Sequence, residues 1–348
     1  MKIVVDINHP AHVHYFKHLI WNLERNGHQV LVTASDKDIA KNLLDLYNIP
    51  YVLLGSYGQG ILRKVVNLPI LDFKMWKAVR DFSPDVLIGF GSIRVAHVGR
   101  LLKKRTIILD DTEHAVLGQL LYRPFADTIL TPACFQKDFG KKQQRFNGTT
   151  DLLYLHPHRF TPNPCVLDEL GLTPEDTFFI VRFISWDANH DIGHCGISDR
   201  VGFVKEMTKY GRVFITSENR LPDELQQYQV TISPEKIHDL LYYATLFAGE
   251  SGTMATEAAC LGTHAVMINS EYGVQENGEY TAGVHKLFVK YGLLDAYRTD
   301  YGVFSKISEL LNDSKLKLRS RTQAALFVSE HEDGTCVLMD SIISYDKP

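Results

Sequence analysis

The sequence predicts an α/β protein made of two doubly wound domains in tandem. Three observations predict it. Short apolar runs alternate with amphipathic segments, the pattern of parallel strands joined by covering helices. The alternation lapses between Asn147 and Pro164, around His156-Pro157-His158, and then resumes. The length, 348 residues, suits two such domains. The expected division is 1–150, 151–330, and a closing helix in 331–348 that packs back on the first domain. Tandem domains of this class put a cleft between them, lined by the carboxyl ends of both sheets, where ligands bind.

The elements follow in order. Ile3–Ile7 reads as the first strand. Val13, Phe16, Leu19, Ile20 and Leu23 then recur at helical spacing, and Gly27 ends that helix. Further strands are expected at Gln29–Thr33, Tyr51–Leu54, Asp85–Phe90, Thr106–Leu109 and Thr128–Leu130. Between Tyr57 and Lys77, apolar residues from Ile61 to Leu71 mix with Arg63, Lys64, Lys74 and Lys77. Pro69 interrupts this run, so one continuous helix is not expected. Such a segment either packs against the sheet or lies on an anionic membrane surface. In the second domain the strands are expected at Phe178–Ile184, Arg212–Thr216, Gln229–Ile232, Leu246–Ala248 and His264–Ile268. Helices over Lys315–Ser329 and Gly334–Ile343 close the chain.

Composition narrows the function. With 45% hydrophobic and 22% charged residues the chain is an ordinary globular protein. A net charge of −4 gives no reason to expect a nucleic-acid partner. Cys134, Cys165, Cys195, Cys260 and Cys336 are odd in number and widely spaced, so neither a disulfide framework nor a cysteine zinc site is indicated. The start lacks a signal-peptide apolar region, and no apolar run reaches membrane-spanning length, which leads us to expect a cytoplasmic protein.

The most informative stretch is Phe247–Gly262, a strand end, a small-residue turn and a helix opening on Ser251-Gly252-Thr253. Ser251 suits an N-cap and Gly252 permits close approach to the backbone. Free N–H groups and the helix dipole make such a turn a phosphate site. Thr253 and Glu257 share one helix face, so a hydroxyl meets a phosphate while a carboxylate holds a sugar diol. An ordinary strand-to-helix junction would look similar.

Other chemistry-bearing loops also follow strands. His9, His12 and His14 crowd the first, and histidine is a natural general base near neutral pH. They read equally as capping and packing residues; a metal cluster lacks a carboxylate or cysteine at ligand spacing. Gly89, Gly91, Ser92 and Arg94 form a second loop, which is no dinucleotide fingerprint because Arg94 stands where the third glycine belongs. Asp110, Asp111, Thr112, Glu113 and His114 form a third, able to bind an acceptor or a metal, or to cap the next helix. In the second domain, Arg182 ends a buried strand, where a diphosphate or a salt bridge would satisfy it, and Ser185 follows. His190, His194 and Cys195 lie beyond. Gln275, Glu276 and Asn277 cluster after the last predicted strand, at the height of a sugar ring.

Together these loops resemble GT-B glycosyltransferases, nearest to the N-acetylglucosaminyltransferases that make peptidoglycan lipid II. The opening of that family resembles Asn8–Gly27, with its histidine falling on His12. Its glycine turn resembles Gly89-Phe90-Gly91-Ser92, and its acceptor loop falls near Asp110-Asp111-Thr112. Its phosphate and ribose motif resembles Gly252–Glu257 in part, and its sugar loop is similar to Gln275-Glu276-Asn277. Pro10-Ala11 replaces two glycines of the family, and Arg182–Asp187 replaces its glycine-rich turn. UDP-N-acetylglucosamine 2-epimerases share the fold and the Ser-Gly turn, but their opening and histidine-arginine motifs are missing. The chain most resembles uncharacterised domain-of-unknown-function relatives of this superfamily.

The resemblance implies a GT-B-like pair of Rossmann-like domains and an inverting, metal-independent glycosyltransferase using a UDP-sugar in surface polysaccharide or glycoconjugate synthesis. His12 would be the base, with His14 and Asp111 as further catalytic candidates. Arg182, Ser185, Ser251, Gly252, Thr253, Glu257, Gln275, Glu276 and Asn277 would hold the nucleotide sugar. His9, Gly89, Gly91, Ser92, Arg94 and Glu113 would face a sugar or lipid-linked acceptor, with peripheral contact at the inner membrane face. No cofactor or metal is implied. The alternatives are an epimerase-like enzyme and a nucleotide-sugar-binding module without turnover.

Overall fold

A computed structural model describes residues 1–58, 60–185, 196–274 and 280–344, apart from the side chains of 61, 62, 64 and 65. The chain divides into two compact units, Met1–Arg159 with Glu332–Pro348, and Phe160–His331.

The first unit alternates strand and helix: β1 Lys2–Ile7, α1 Pro10–Arg25, β2 Gln29–Ser35, α2 Asp38–Leu46, β3 Tyr51–Gly55, α3 Ile61–Arg80, β4 Val86–Phe90, α4 Ile93–Leu102, β5 Arg105–Leu109, α5 Val116–Tyr122, β6 Thr128–Pro132 and β7 Gln143–Phe146. The strands form one parallel sheet in the order β3-β2-β1-β4-β5-β6-β7. The order reverses between β1 and β4, so the loops leaving those two strands open on one crevice at the carboxyl edge. Val4, Leu87 and Ile108 of the sheet pack with Leu71, Met75 and Val79 of α3 and with Val95 and Val98 of α4.

The structure departs from expectation at three places in this unit. β7 was not legible, because Gln-Gln-Arg-Phe carries no apolar alternation and only Phe146 is buried. It is an edge strand, held by parallel pairing to β6. The segment around Pro69 is one helix, α3, with the proline inside it. Pro69 is exposed, so water can satisfy the carbonyl that its missing N–H leaves free, while burial of Leu71, Met75 and Val79 anchors the following turns. The unit also runs past residue 150 to Arg159, because Leu152, Leu153, Tyr154 and Leu155 are buried in it.

The second unit contains α6 Cys165–Asp168, β8 Phe178–Phe183, α7 Arg200–Met207, β9 Arg212–Ser217, α8 Ile237–Tyr243, β10 Leu246–Gly249, α9 Gly252–Cys260, β11 Ala265–Ile268, α10 Gly283–Lys290, β12 Leu294–Tyr297, α11 Val303–Asn312 and α12 Leu316–Ser329. Its parallel sheet runs β12-β11-β10-β8-β9. Here the order reverses between β8 and β10, again bringing the loops after those strands together. The expected strand Gln229–Ile232 supplies only an isolated bridge from Gln229 to Ile215; its two apolar side chains are only half-buried, too little to anchor a further edge strand. β12 was missed because it is a short edge strand in which only Leu294 is buried.

The last helix, α13 Gly334–Ile343, belongs to the first unit. Asp333 caps it by accepting from Thr335 N at 3.0 Å, and Thr335 donates through Oγ1 to the Leu153 carbonyl at 2.6 Å.

Close strand pairing fixes Gly249. A Cβ there would stand 2.6 Å from the carbonyl oxygen of Arg182 and 2.7 Å from its nitrogen. Both are backbone atoms in the sheet centre and cannot swing away. Gly249→Ala is expected to cost about 1–3 kcal/mol, read as a lower urea midpoint at unchanged slope.

Candidate functional site

In the second unit, the switch point is occupied by the junction of β10 and α9. Ser251 is the N-cap, in extended backbone, and its Oγ accepts from Met254 N at 3.2 Å. The N–H groups of Gly252 and Thr253 belong to the first turn and have no acceptor within the helix. Gly252 is required by its walls: a Cβ there would meet His285 Nε2 at 3.0 Å and Tyr272 Cδ2 at 3.4 Å. His285 and Tyr272 were not picked from the sequence. They come from α10 and from the turn after β11, and only the sheet order brings them to α9.

Glu250, fully buried, organises the neighbouring loop. Its carboxylate accepts from Ile184 N, Ile197 N and Arg200 Nη2, each at 2.9 Å. Both ends of the connection from β8 to α7 are thereby tied under the cap of α9. Asn269 donates to the Glu250 carbonyl at 2.8 Å and accepts from Glu271 N at 2.9 Å, joining the loop after β11 to the same turn.

The predicted binding residues are placed unequally. Arg182 lies at the end of β8 but already has a carboxylate, Glu218, at 2.9 Å. Ser185 donates to the other oxygen of Glu218 through Oγ at 2.9 Å. Burial pushes Glu218 up, but the Ser185 N–H and Arg182 outweigh it and hold its carboxyl below the usual range. Glu257 lies one turn along α9 from Thr253, only 4% exposed, with Oε1 3.0 Å from Nε2 of His238. Gln275, Glu276 and Asn277, and the loop residues from Trp186 to Cys195, lie outside the described residues.

In the first unit, the switch point is built on Asp6, at the end of β1. This fully buried carboxylate accepts from Thr33 Oγ1 at 2.7 Å, Ser92 Oγ at 2.6 Å and Arg94 Nη2 at 2.8 Å. Arg94 also donates to Asn8 Oδ1, which accepts from Ser35 Oγ at 3.2 Å as well. Arg94 and Ser92 are wholly buried. Their side chains hold the β1–α1 loop from below, and the Asp6 carboxylate supplies the partner that a charge at this depth requires. Gly89 is needed there, since a Cβ would stand 2.8 Å from that of Ser92, and Gly91 takes a φ of +49°. Asp6, the centre of this network, read in the sequence only as the end of a strand.

The histidines separate by environment. His9 caps α1, accepting from Ala11 N at 3.3 Å. His12 packs on Phe90 with ring centres 4.8 Å apart, and its Nδ1 accepts from Asn8 N at 3.3 Å. Burial, with His9, Lys37 and Arg94 nearby, holds His12 well below the usual histidine range, so it is neutral at pH 7. His14 is buried between Tyr47 and Tyr154, with Tyr47 Oη 3.3 Å from its Nδ1. That is a packing role.

The acidic loop after β5 is buried too. Asp110 accepts from Thr112 N at 2.9 Å and from the Tyr122 hydroxyl. Burial pushes its carboxyl up to about 7 against those bonds. Asp111 accepts from Thr112 and Thr150 hydroxyls and is also raised by burial. Glu113 accepts from Gln136 N at 3.2 Å. A raised carboxyl pKa means the folded state holds a proton that the unfolded chain has lost. Its stabilisation is complete below the unfolded carboxylate range and is lost as pH rises through about 7. Asp110→Asn is therefore expected to lose less stability than wild type between pH 5 and pH 8, compared by urea midpoints.

Comparison with known proteins gives the family and the fold. The family model described as "Protein of unknown function (DUF354)" matches residues 1–347. An uncharacterised protein of Methanocaldococcus jannaschii is 24% identical over 279 residues, covering 76% of this chain and 81% of that one. Among solved structures, a UDP-GlcNAc 2-epimerase from Neisseria meningitidis bound to UDP-GlcNAc superimposes with a TM-score of 0.70 at 10% identity, over 99% of this chain and 100% of that one. A glycosyltransferase of Streptomyces sp. SF2575 complexed with thymidine diphosphate gives 0.62 at 13% identity, over 98% and 99%. At these identities the likeness establishes the fold: two Rossmann-like parallel-sheet domains of GT-B type, a fold shared by nucleotide-sugar glycosyltransferases and epimerases.

Proposed function

We propose, for a chain that belongs to the DUF354 family, that it is a nucleotide-sugar-dependent glycosyltransferase using a UDP-sugar. The observation that carries the reading is the first turn of α9: open N–H groups behind Ser251, a glycine demanded by His285 and Tyr272, and Arg182 and Arg200 on the loop side. A diphosphate would meet N–H donors and a helix dipole there, with the carboxylate-paired Arg182 and Arg200 beside it. Those donors would stabilise the charge that grows on the leaving diphosphate. Glu257 would hold the ribose, and Gln275, Glu276 and Asn277 the sugar. In the first unit His12, kept neutral, would take the acceptor proton in a single inverting displacement that needs no metal.

A second reading rests on a separate observation. Buried Asp110 and half-buried Asp111 are carboxyls with raised pKa at a carboxyl edge, an acid–base pair suited to epimerisation. One experiment tests both readings. Incubation with UDP-sugars in deuterated buffer either releases UDP in the presence of acceptor or returns a UDP-sugar epimer carrying deuterium. Neither product with any nucleotide sugar would leave a binding module.

We further propose a cytoplasmic enzyme working at the inner membrane face on a lipid-linked acceptor for surface polysaccharide or glycoconjugate synthesis. No described helix is long and apolar enough to cross a membrane. The support is α3, which is apolar on two sides. Leu71, Met75 and Val79 are buried, whereas Val66 is 64% and Phe73 60% exposed, beside exposed Arg63, Lys74, Lys77 and Arg80. A groove between α3 and α4, lined by Pro69, Phe73, Trp76 and Leu101, continues the apolar surface. Cosedimentation with phosphatidylglycerol vesicles at low salt is expected for wild type and reduced for Phe73→Ser or for Lys74→Glu with Lys77→Glu. Wild type remaining in the supernatant would favour a soluble acceptor.

A further inference from the structure

We infer that His156, His158 and Asp333 form a zinc site that clasps the C-terminal helix α13 to the segment where the chain leaves the first unit. The three side chains each offer a ligand atom, and these atoms lie within 4.8 Å of one another. Among the described residues they are the one such group of histidine, cysteine, aspartate and glutamate side chains. Nδ1 of His158 stands 3.9 Å from Oδ2 of Asp333. In a tetrahedral zinc site with bonds of about 2.0–2.1 Å, neighbouring ligand atoms are about 3.4 Å apart. The His158 side chain is 76% exposed and can close that difference by rotation.

The surroundings fit a bound cation. Oδ1 of Asp333 is fixed by Thr335 N at 3.0 Å and Cys336 N at 3.4 Å, so Oδ2 is the oxygen turned toward His158. Oδ2 accepts from Arg159 Nε at 2.8 Å and keeps a second lone pair for a metal. A ligating carboxylate held by such an outer hydrogen bond is usual in metal sites. His156 is buried and packs on His158 with ring centres 4.5 Å apart. Its Nδ1 accepts from His158 N at 3.2 Å, a bond that a metal taking this nitrogen's lone pair would displace.

Cys336 lies outside this group, and water would take the fourth position. The Cys336 Sγ accepts from Arg159 Nη2 at 3.2 Å, so one guanidinium spans the thiol and the carboxylate. Two imidazoles and a carboxylate suit zinc better than calcium or magnesium, which prefer oxygen. The ligands come from Leu155–Arg159 and from the cap of α13, parts of the first unit that are 174 residues apart between Arg159 and Asp333. The site takes no part in the transfer reaction proposed above, and its metal would be structural.

Chelator-treated full-length protein titrated with zinc by calorimetry is the test, with cobalt as an absorbing probe. Wild type is expected to bind one zinc, with a rise in Tm. His158→Ala, at an exposed position, and Asp333→Asn, which preserves a good N-cap, should each weaken binding at least about tenfold and remove the rise. No saturable zinc binding by wild type, or affinity unchanged in both His158→Ala and Asp333→Asn, overturns the site.

Discussion

His12→Ala is expected to lower turnover roughly a hundredfold or more while leaving nucleotide affinity nearly unchanged. The side chain sits at the switch point of the first sheet, packed on Phe90 and within the field of Lys37 and Arg94. Those charges and burial depress its pKa, and the sign of that shift has a consequence. A base is active when neutral, so turnover should stay level as pH falls from 8 to 6.5 and drop only at more acid pH. The bond from Asn8 N to Nδ1 favours the tautomer with its proton on Nε2. Nδ1 is then the nitrogen that must take the acceptor proton, giving up the 3.3 Å bond as it does so. His12→Gln tests this, because glutamine keeps a donor near the place of Nε2–H and has no base. If His12→Gln turns over like wild type, His12 is a hydrogen-bond donor and the base lies elsewhere. His14 is a poor substitute, since Tyr47 and Tyr154 enclose it.

UDP at a hundred times its dissociation constant should stabilise the protein by about 2.7 kcal/mol, seen as a rise in Tm. Gly252→Val should abolish that rise. Even a Cβ at position 252 would crowd His285 at 3.0 Å, and a branched side chain would fill the mouth of the first turn of α9. Circular dichroism checks that the variant is folded. Glu257→Gln retains an acceptor for His238 and loses the charge proposed for the ribose, so it should weaken the response without unfolding the unit. Absence of any thermal response to millimolar nucleotide diphosphates would remove the second unit as their site. A full response in Gly252→Val would move the diphosphate away from α9.

Much of this was legible in the chain. β1, β4, β5, β8 and β10 are dense apolar runs because both faces of a parallel sheet are covered, and such runs are visible in any window. Ser251 and Gly252 could be found because a cap and a close approach each demand a particular residue type. Edge strands were not legible: β7 and β12 have one covered face at most and owe their geometry to the neighbour they pair with. Arg94's partner was not legible for a related reason: a charged residue after a glycine turn looks like a ligand contact, and only the fold shows Asp6, on the neighbouring strand, paired with it.

The sequence by itself determined the class of fold, the two parallel sheets and the turns that end their central strands, since local periodicity and capping encode these. Only the tertiary structure decided which side chains meet. Strand order sets that, and strand order is fixed by burial across the whole sheet. It put Arg94 on Asp6, Glu250 under the loop after β8, and His285 and Tyr272 against Gly252, while docking of α13 on the first unit put Asp333 beside His158. Those pairings join residues far apart in the chain, and no local pattern records them.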